Sequence, residues 1–405
     1  MNIYKRTLLG LAVAAALGAG VAQAQISDNV IMIGVLSDMS SLYTDLAGAG
    51  SVIAAKMAIE DSGIEKRGYK VEVVSADHQN KPDVGSNVAR QWYDVDKVDA
   101  IVDVPNSGVA LAINQITKDK GKAFLAVGPG TSDLSGKACS PNTVHWAYDT
   151  WMLANGTGTA ITKQGGDTWF FISADYAFGA ALERDTTAAV IRNGGKVIGG
   201  VKAPLNNQDF SSFLLQAQSS KAKIIGLANA GGDTTNSIKQ AAEFGIVKGG
   251  QKLAGLLVFL TDIHALGLQT AQGLTFTETF YWDMNDQTRA FSNRFAPADK
   301  GIHPTMVHAG VYASVLHYLK AVEALKSDDG TKVIAKMKEM PTEDTLFGKG
   351  SIRADGRKIH PAYLFQVKTP AESKAPWDYY KLVATIPADQ AFRPLADGDC
   401  SLVKK

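Results

Sequence analysis

From residue 31 onward, short β-branched runs alternate with longer amphipathic ones, and that alternation restricts the chain to parallel sheets covered by helices. Runs at 31–36, 70–76, 100–104 and 123–127 predict strands, with helices at 51–61, 83–94 and 109–118 between and after them. A second series opens with a helix at 151–163. It continues with strands at 168–173, 196–202, 224–228 and 253–260 and helices at 179–193, 210–219 and 234–244. A strand at 273–279, helices at 305–325 and 330–340, and extended segments at 362–367 and 377–386 complete the pattern. Two α/β units need two cores, which 405 residues at 45% hydrophobic and 20% charged are enough to build.

The first 24 residues read as an export signal. Lys5 and Arg6 precede an apolar run that ends in Ala22-Gln23-Ala24, so cleavage is expected after Ala24 and the mature chain is expected in the periplasm. Losing Lys5 and Arg6 turns 41 Lys and Arg against 40 Asp and Glu into 39 against 40, which leaves no basic excess for a nucleic-acid partner. Two cysteines, Cys139 and Cys400, are expected to pair in an oxidising compartment and to staple the 393–405 tail back onto the body. No G-x-S-x-G elbow, phosphate loop, dinucleotide fingerprint or H-E-x-x-H motif occurs. The chain therefore reads as one without cofactor or metal, and not as an enzyme.

Ligands of open α/β sheets sit outside the carboxyl ends of the strands, so the loops there carry the candidates. Four stand out, at 37–43, 104–108, 128–133 and 174–179. Ser107 and Ser132 place hydroxyls just before helix starts. They serve there either as plain N-caps or, with free N–H groups, as a carboxylate site. Tyr43, Tyr176 and Phe178 offer rings to an apolar ligand body, and Tyr281 and Trp282 are further aromatic candidates for the cleft or the core.

In order along the chain, VIMIGVLSDMSSLYTDLAG, DVPNSGVALA, LAVGPGTSDLSG, ISADYAFG and LANAGGDT resemble the type I periplasmic binding proteins of the branched-chain amino acid and amide group. The resemblance implies two Rossmann-like lobes joined by three crossovers, which close on one small molecule and present it to an inner-membrane ABC permease. It implies a division into 25–148 plus about 275–345 for one lobe and 149–274 plus about 346–392 for the other, and a monomer. It puts Ser107, Gly130, Thr131 and Ser132 around a ligand carboxylate, Tyr43 and Phe178 over the ligand body, and Asn229 and Asp233 on the facing lobe. One position departs: amino-acid binders of this group carry a Glu for the ligand ammonium where Phe259 or Leu260 stands here, with Asp233 and Asp262 as the nearby carboxylates. A buried ammonium without a partner is costly, so an aromatic or other organic acid is the first expectation and a branched-chain amino acid or amide the second. A ligand-sensing adaptor for a membrane receptor is the other role these lobes could serve.

Overall fold

The computed structural model describes residues 26–404, so the export-signal segment lies outside the described residues. The first half forms β1 (Ile31–Ser37), α1 (Gly48–Ser62), β2 (Val71–Asp77), α2 (Pro82–Asp94), β3 (Ala100–Asp103), α3 (Ser107–Lys120), β4 (Ala123–Ala126) and β5 (Thr143–His145). These strands make one parallel sheet in the order β2-β1-β3-β4-β5. Its central strands are buried on both faces, which is why β3 and β4 read as continuous apolar runs instead of alternating ones. Asn106 caps α3 by accepting from Gly108 N and Val109 N at 2.9 and 3.1 Å, and Gly121 ends the helix at φ 63°.

The chain then crosses through α4 (Thr150–Leu153), a π turn at Ala154–Gly158 and α5 (Thr159–Lys163). The π turn lies inside the predicted 151–163 helix, where Gly156 packs so closely that a Cβ would stand 2.2 Å from Thr277 Oγ1. Next come β6 (Thr168–Ala174), α6 (Ala177–Arg192), β7 (Lys196–Ala203), α7 (Ser211–Ser219), β8 (Ile224–Ala228), α8 (Gly232–Glu243) and β9 (Lys252–Gly255). They form a second parallel sheet, β7-β6-β8-β9. The apolar run predicted as one strand to 260 stops at Gly255. Leu256–Phe259 is irregular and leads into α9 (Leu260–Leu266), closely followed by α10 (Leu268–Ala271).

After β10 (Thr275–Glu278) come α11 (Asp286–Ala298), α12 (Met306–Leu325) and α13 (Gly330–Glu339). The long α12 is buried along most of its length and packs against α1, where a Cβ on Gly50 would stand 2.4 Å from His308 Nε2. Three short strands, β11 (Thr342–Asp344), β12 (Gly348–Ile352) and β13 (Lys358–Ile359), form an antiparallel meander. The chain closes with β14 (Ala362–Val367), β15 (Tyr380–Ile386) and the short α14 (Ala388–Ala391). Antiparallel pairing also makes a separate sheet, β10-β14-β15, so β10 joins the closing strands and not the first sheet. Cys139 and Cys400 are bonded with Cα atoms 5.6 Å apart, as the cysteine count predicted. Among the described residues no helix is long and apolar enough to cross a membrane.

Candidate functional site

Each parallel sheet has one point where strand order reverses, between β1 and β3 in the first and between β6 and β8 in the second. A crevice opens at such a point beyond the carboxyl ends of the strands. The two crevices face each other across a single cavity. Tyr43 and Leu46 come from the loop after β1, Pro105 from the loop after β3, Tyr176 and Phe178 from the β6–α6 junction, and Ala230 from the loop after β8. Tyr148 follows β5, and Leu257 and Phe259 follow β9. The lining is therefore aromatic and aliphatic, with tyrosine hydroxyls as its only ionisable groups.

Asp38 shapes the first loop. Its carboxylate accepts from Ser41 N at 2.9 Å, Tyr43 N at 2.8 Å and Asn80 Nδ2 at 2.6 Å, which turns the chain so that the Tyr43 ring faces inward. The Tyr43 hydroxyl then meets that of Tyr176, from the opposite sheet, at 2.6 Å. Burial first, and the Tyr176 neighbour second, hold Tyr43 protonated far above the usual phenol range. Tyr148 donates to Gly128 O at 2.5 Å, and its ring meets Phe259 edge-on at 6.1 Å. At the end of β3 two consecutive non-glycine residues, Asp103 at φ 82° and Val104 at φ 63°, adopt left-handed backbone just before Pro105. Such geometry costs about 1–3 kcal/mol per residue and persists where surrounding structure enforces it.

The cavity has a volume of about 10 Å³, room for one water. The bonded Tyr43 and Tyr176 side chains bridge the two sheets across it. A larger polar cleft adjoins it at Leu46, lined by Ser40, Ser41, Asp45, Asn206, Thr261 and Asp262 among others.

Of the residues singled out from sequence, Tyr43, Tyr176 and Phe178 line the cavity, and Gly130 backs it, because a Cβ there would stand 2.7 Å from Phe178 Cε2. The others make bonds within the protein. Ser107 Oγ accepts from Thr131 N at 3.2 Å, and Thr131 Oγ1 accepts from Asp133 N at 3.3 Å. Ser132 is turned away to α6, donating to Asp185 Oδ2 at 2.7 Å and accepting from Arg184 Nη2 at 2.8 Å. Arg184 also pairs with Asp133 at 3.0 Å, so this group ties the loop after β4 to the opposite lobe. Asn229 bonds to Ser237 and Thr234 within α8, and Asp233 accepts from Asn206 N and Asn207 N. Burial raises the Asp233 carboxyl to about 6. Asp262 accepts from Phe259 N at 2.9 Å and is pushed by burial to about 7. Tyr281 and Trp282 both donate to Trp377 O, in a separate aromatic cluster.

Tyr148, Phe259, Leu257, Pro105, Leu46 and Ala230 were not among the binding residues read from sequence. Phe259 carried the clearest signal, since it or Leu260 stands where the resemblance implies a carboxylate. Tyr148 follows a three-residue strand too short to produce a periodic pattern.

Two facing α/β sheets with an apolar cavity between their switch points define a cleft-type solute binder. The periplasmic binding protein family matches residues 30–374, and the chain belongs to that family, whose members are binding proteins and not enzymes. It is 51% identical to a Burkholderia mallei periplasmic binding protein of known structure, over 93% of this chain and all of that one, with a TM-score of 0.91. A Burkholderia xenovorans branched-chain amino acid ABC transporter periplasmic ligand-binding protein is 41% identical over 92% of this chain and 99% of its own, at a TM-score of 0.81. An R. palustris ABC transporter solute-binding protein in complex with benzoate shares the fold, at 19% identity, 89% and 97% coverage and a TM-score of 0.79.

Proposed function

We propose that this protein captures a small carboxylate with an aromatic or apolar body in the periplasm and delivers it to an inner-membrane ABC permease. The carrying observation is the cavity lining: five aromatic rings converge, and Phe259, one of the two residues at which the resemblance would place the ammonium partner, is among them. A ligand ammonium there would be buried against a ring edge without a carboxylate, an arrangement that costs several kcal/mol. A carboxylate has better prospects. The second-lobe helices α6 and α8 begin without side-chain caps, at Tyr176 and Gly231, so their first N–H groups are open to an anion. The Tyr43 and Tyr176 hydroxyls can turn from each other to the same anion.

The nearly filled cavity implies that the ligand enters when the lobes part and is held when they close. Only the closed form touches it from both sides, so the ligand shifts the population toward closure. In this reading the crossovers between the two parallel sheets serve as the hinges.

The 41% identical B. xenovorans relative favours a second reading, a branched-chain amino acid. Asp45 and Asp262 at the adjoining cleft would then have to receive the ammonium. A thermal-shift panel separates the two readings. Benzoate, 4-hydroxybenzoate and aliphatic carboxylates are expected to raise the melting temperature in step with ln(1 + [L]/Kd), and leucine, isoleucine and valine to leave it unchanged. Stabilisation by the amino acids alone would reverse the assignment.

A further inference from the structure

The hinge holds a charged group that the cavity does not use. Arg357 is fully buried on the loop between β12 and β13. Its guanidinium donates to Tyr148 O at 2.8 Å through Nη1, to Trp146 O at 2.6 Å through Nη2 and to Lys358 O at 3.1 Å through Nε. Asp149 stands 3.6 Å away as the counter-charge, and the Phe392 ring lies 4.3 Å beneath the guanidinium carbon. A buried cation persists only where paired and hydrogen-bonded, and this one is matched by two carbonyls of a single segment.

That segment is the first crossover. Residues 146–149 leave β5 of the first sheet and enter α4 on the way to the second. The loop bearing Arg357 lies on a later passage, between α13 and β14. It docks on β5 through His145 N to Gly356 O at 2.9 Å, so closely that a Cβ on Gly356 would stand 2.5 Å from Thr143 O. His360 Nε2 is a further partner of Trp146 O, at 3.3 Å. Lys358 adds a second buried cation, 3.9 Å from Asp344 and over the Trp146 ring.

We propose that Arg357 is a positioning residue for ligand capture: by gripping the carbonyls on either side of Ala147, it locks two crossovers together and fixes the Tyr148 ring in the cavity wall. Tyr148 has its backbone carbonyl on Arg357 and its ring in the cavity, with its hydroxyl on Gly128 O. A swing of one lobe on the other must twist residues 146–150, and the guanidinium fork restricts that twist to movements that carry Tyr148 along. Lysine keeps the charge but has no planar fork to reach both carbonyls.

Hydrogen exchange of the unliganded protein, read by mass spectrometry, tests this without any ligand. In Arg357→Lys, peptides covering 146–153 are expected to exchange about tenfold faster while those covering β1 and β8 stay as protected as in the parent. Unchanged exchange at 146–153 overturns the proposal, and so does an equal rise across both sheets, which would mark Arg357 as a general stabiliser. Arg357→Met is the harsher variant; if it does not fold, the lysine variant still decides. A second arm rests on reading the cavity as a carboxylate site: calorimetric titration with benzoate is expected to show about tenfold weaker binding in Arg357→Lys. Equal affinity in parent and variant would overturn the coupling to the cavity. Failure of the parent itself to bind benzoate would count against the ligand reading, and the exchange arm would still judge the clamp.

Discussion

Without the Cys139–Cys400 bond the protein is expected to melt roughly 5–10 °C lower, a loss of about 5 kcal/mol. The bond spans 261 residues of sequence, so in the chain-entropy account its removal frees one of the largest loops the molecule can form. The expected loss is also local. Arg393, just before the bonded tail, donates to Ser132 O at 3.0 Å, and the backbone carbonyl of Arg393 accepts from Arg353 at 2.7 Å. Those bonds hold the end of the chain against the loop that joins β4 to the opposite lobe, and they would be the first to fray. The measurement is a calorimetric melt of a Cys139→Ser/Cys400→Ser double variant beside the parent. An unchanged midpoint would mean that the noncovalent contacts of the tail already restrict the chain as much as the bond does.

Adding a single methyl at Gly130 is expected to weaken ligand binding about a hundredfold, or roughly 2.7 kcal/mol. Gly130 does not have left-handed backbone, so Gly130→Ala brings no conformational strain and its effect is one of contact. The new Cβ would stand 2.7 Å from Phe178 Cε2 and 3.1 Å from Tyr148 Cε2. Real Cβ atoms do not approach that closely, so the Phe178 ring must give way, and the empty side open to it is the cavity. Overpacking of this kind costs about 1–3 kcal/mol of stability, which the fold can carry. Circular dichroism should show an intact fold and titration a lost site. Binding equal to the parent would mean that the ligand does not rest against Phe178.

Fold class was legible in the sequence because parallel strands buried on both faces leave continuous apolar runs. β8 and β14 fall on the predicted residues, and most helices differ by a few residues at their ends. What was not legible depends on distant partners. β5 is three residues long and exists because β4 and the Arg357 loop flank it. The strand predicted to 260 breaks at Gly255, and that break delivers Phe259 to the cavity. Arg357 and Lys358 stand in a Gly-containing hairpin, where charged side chains are usually solvated, yet both are fully buried.

The residues around the cavity divided in the same way. The rings of Tyr43 and Phe178 were readable, since large apolar side chains at strand ends in facing loops have few other places to go. The hydroxyls were not. Ser132 sits at the start of a short 3₁₀ turn, where a cap and a ligand contact look alike in sequence, and its actual partner, Asp185, lies 53 residues further along on α6. For the same reason, the bond between the Tyr43 and Tyr176 hydroxyls across the cavity could be known only once both sheets were in place.

The most direct test of the central claim is isothermal titration of the purified mature protein with 4-hydroxybenzoate and, separately, with leucine. A saturable one-to-one isotherm for the aromatic acid, with no heat of binding from leucine, is the predicted result. Tight one-to-one binding of leucine with none of the aromatic acid would contradict the account.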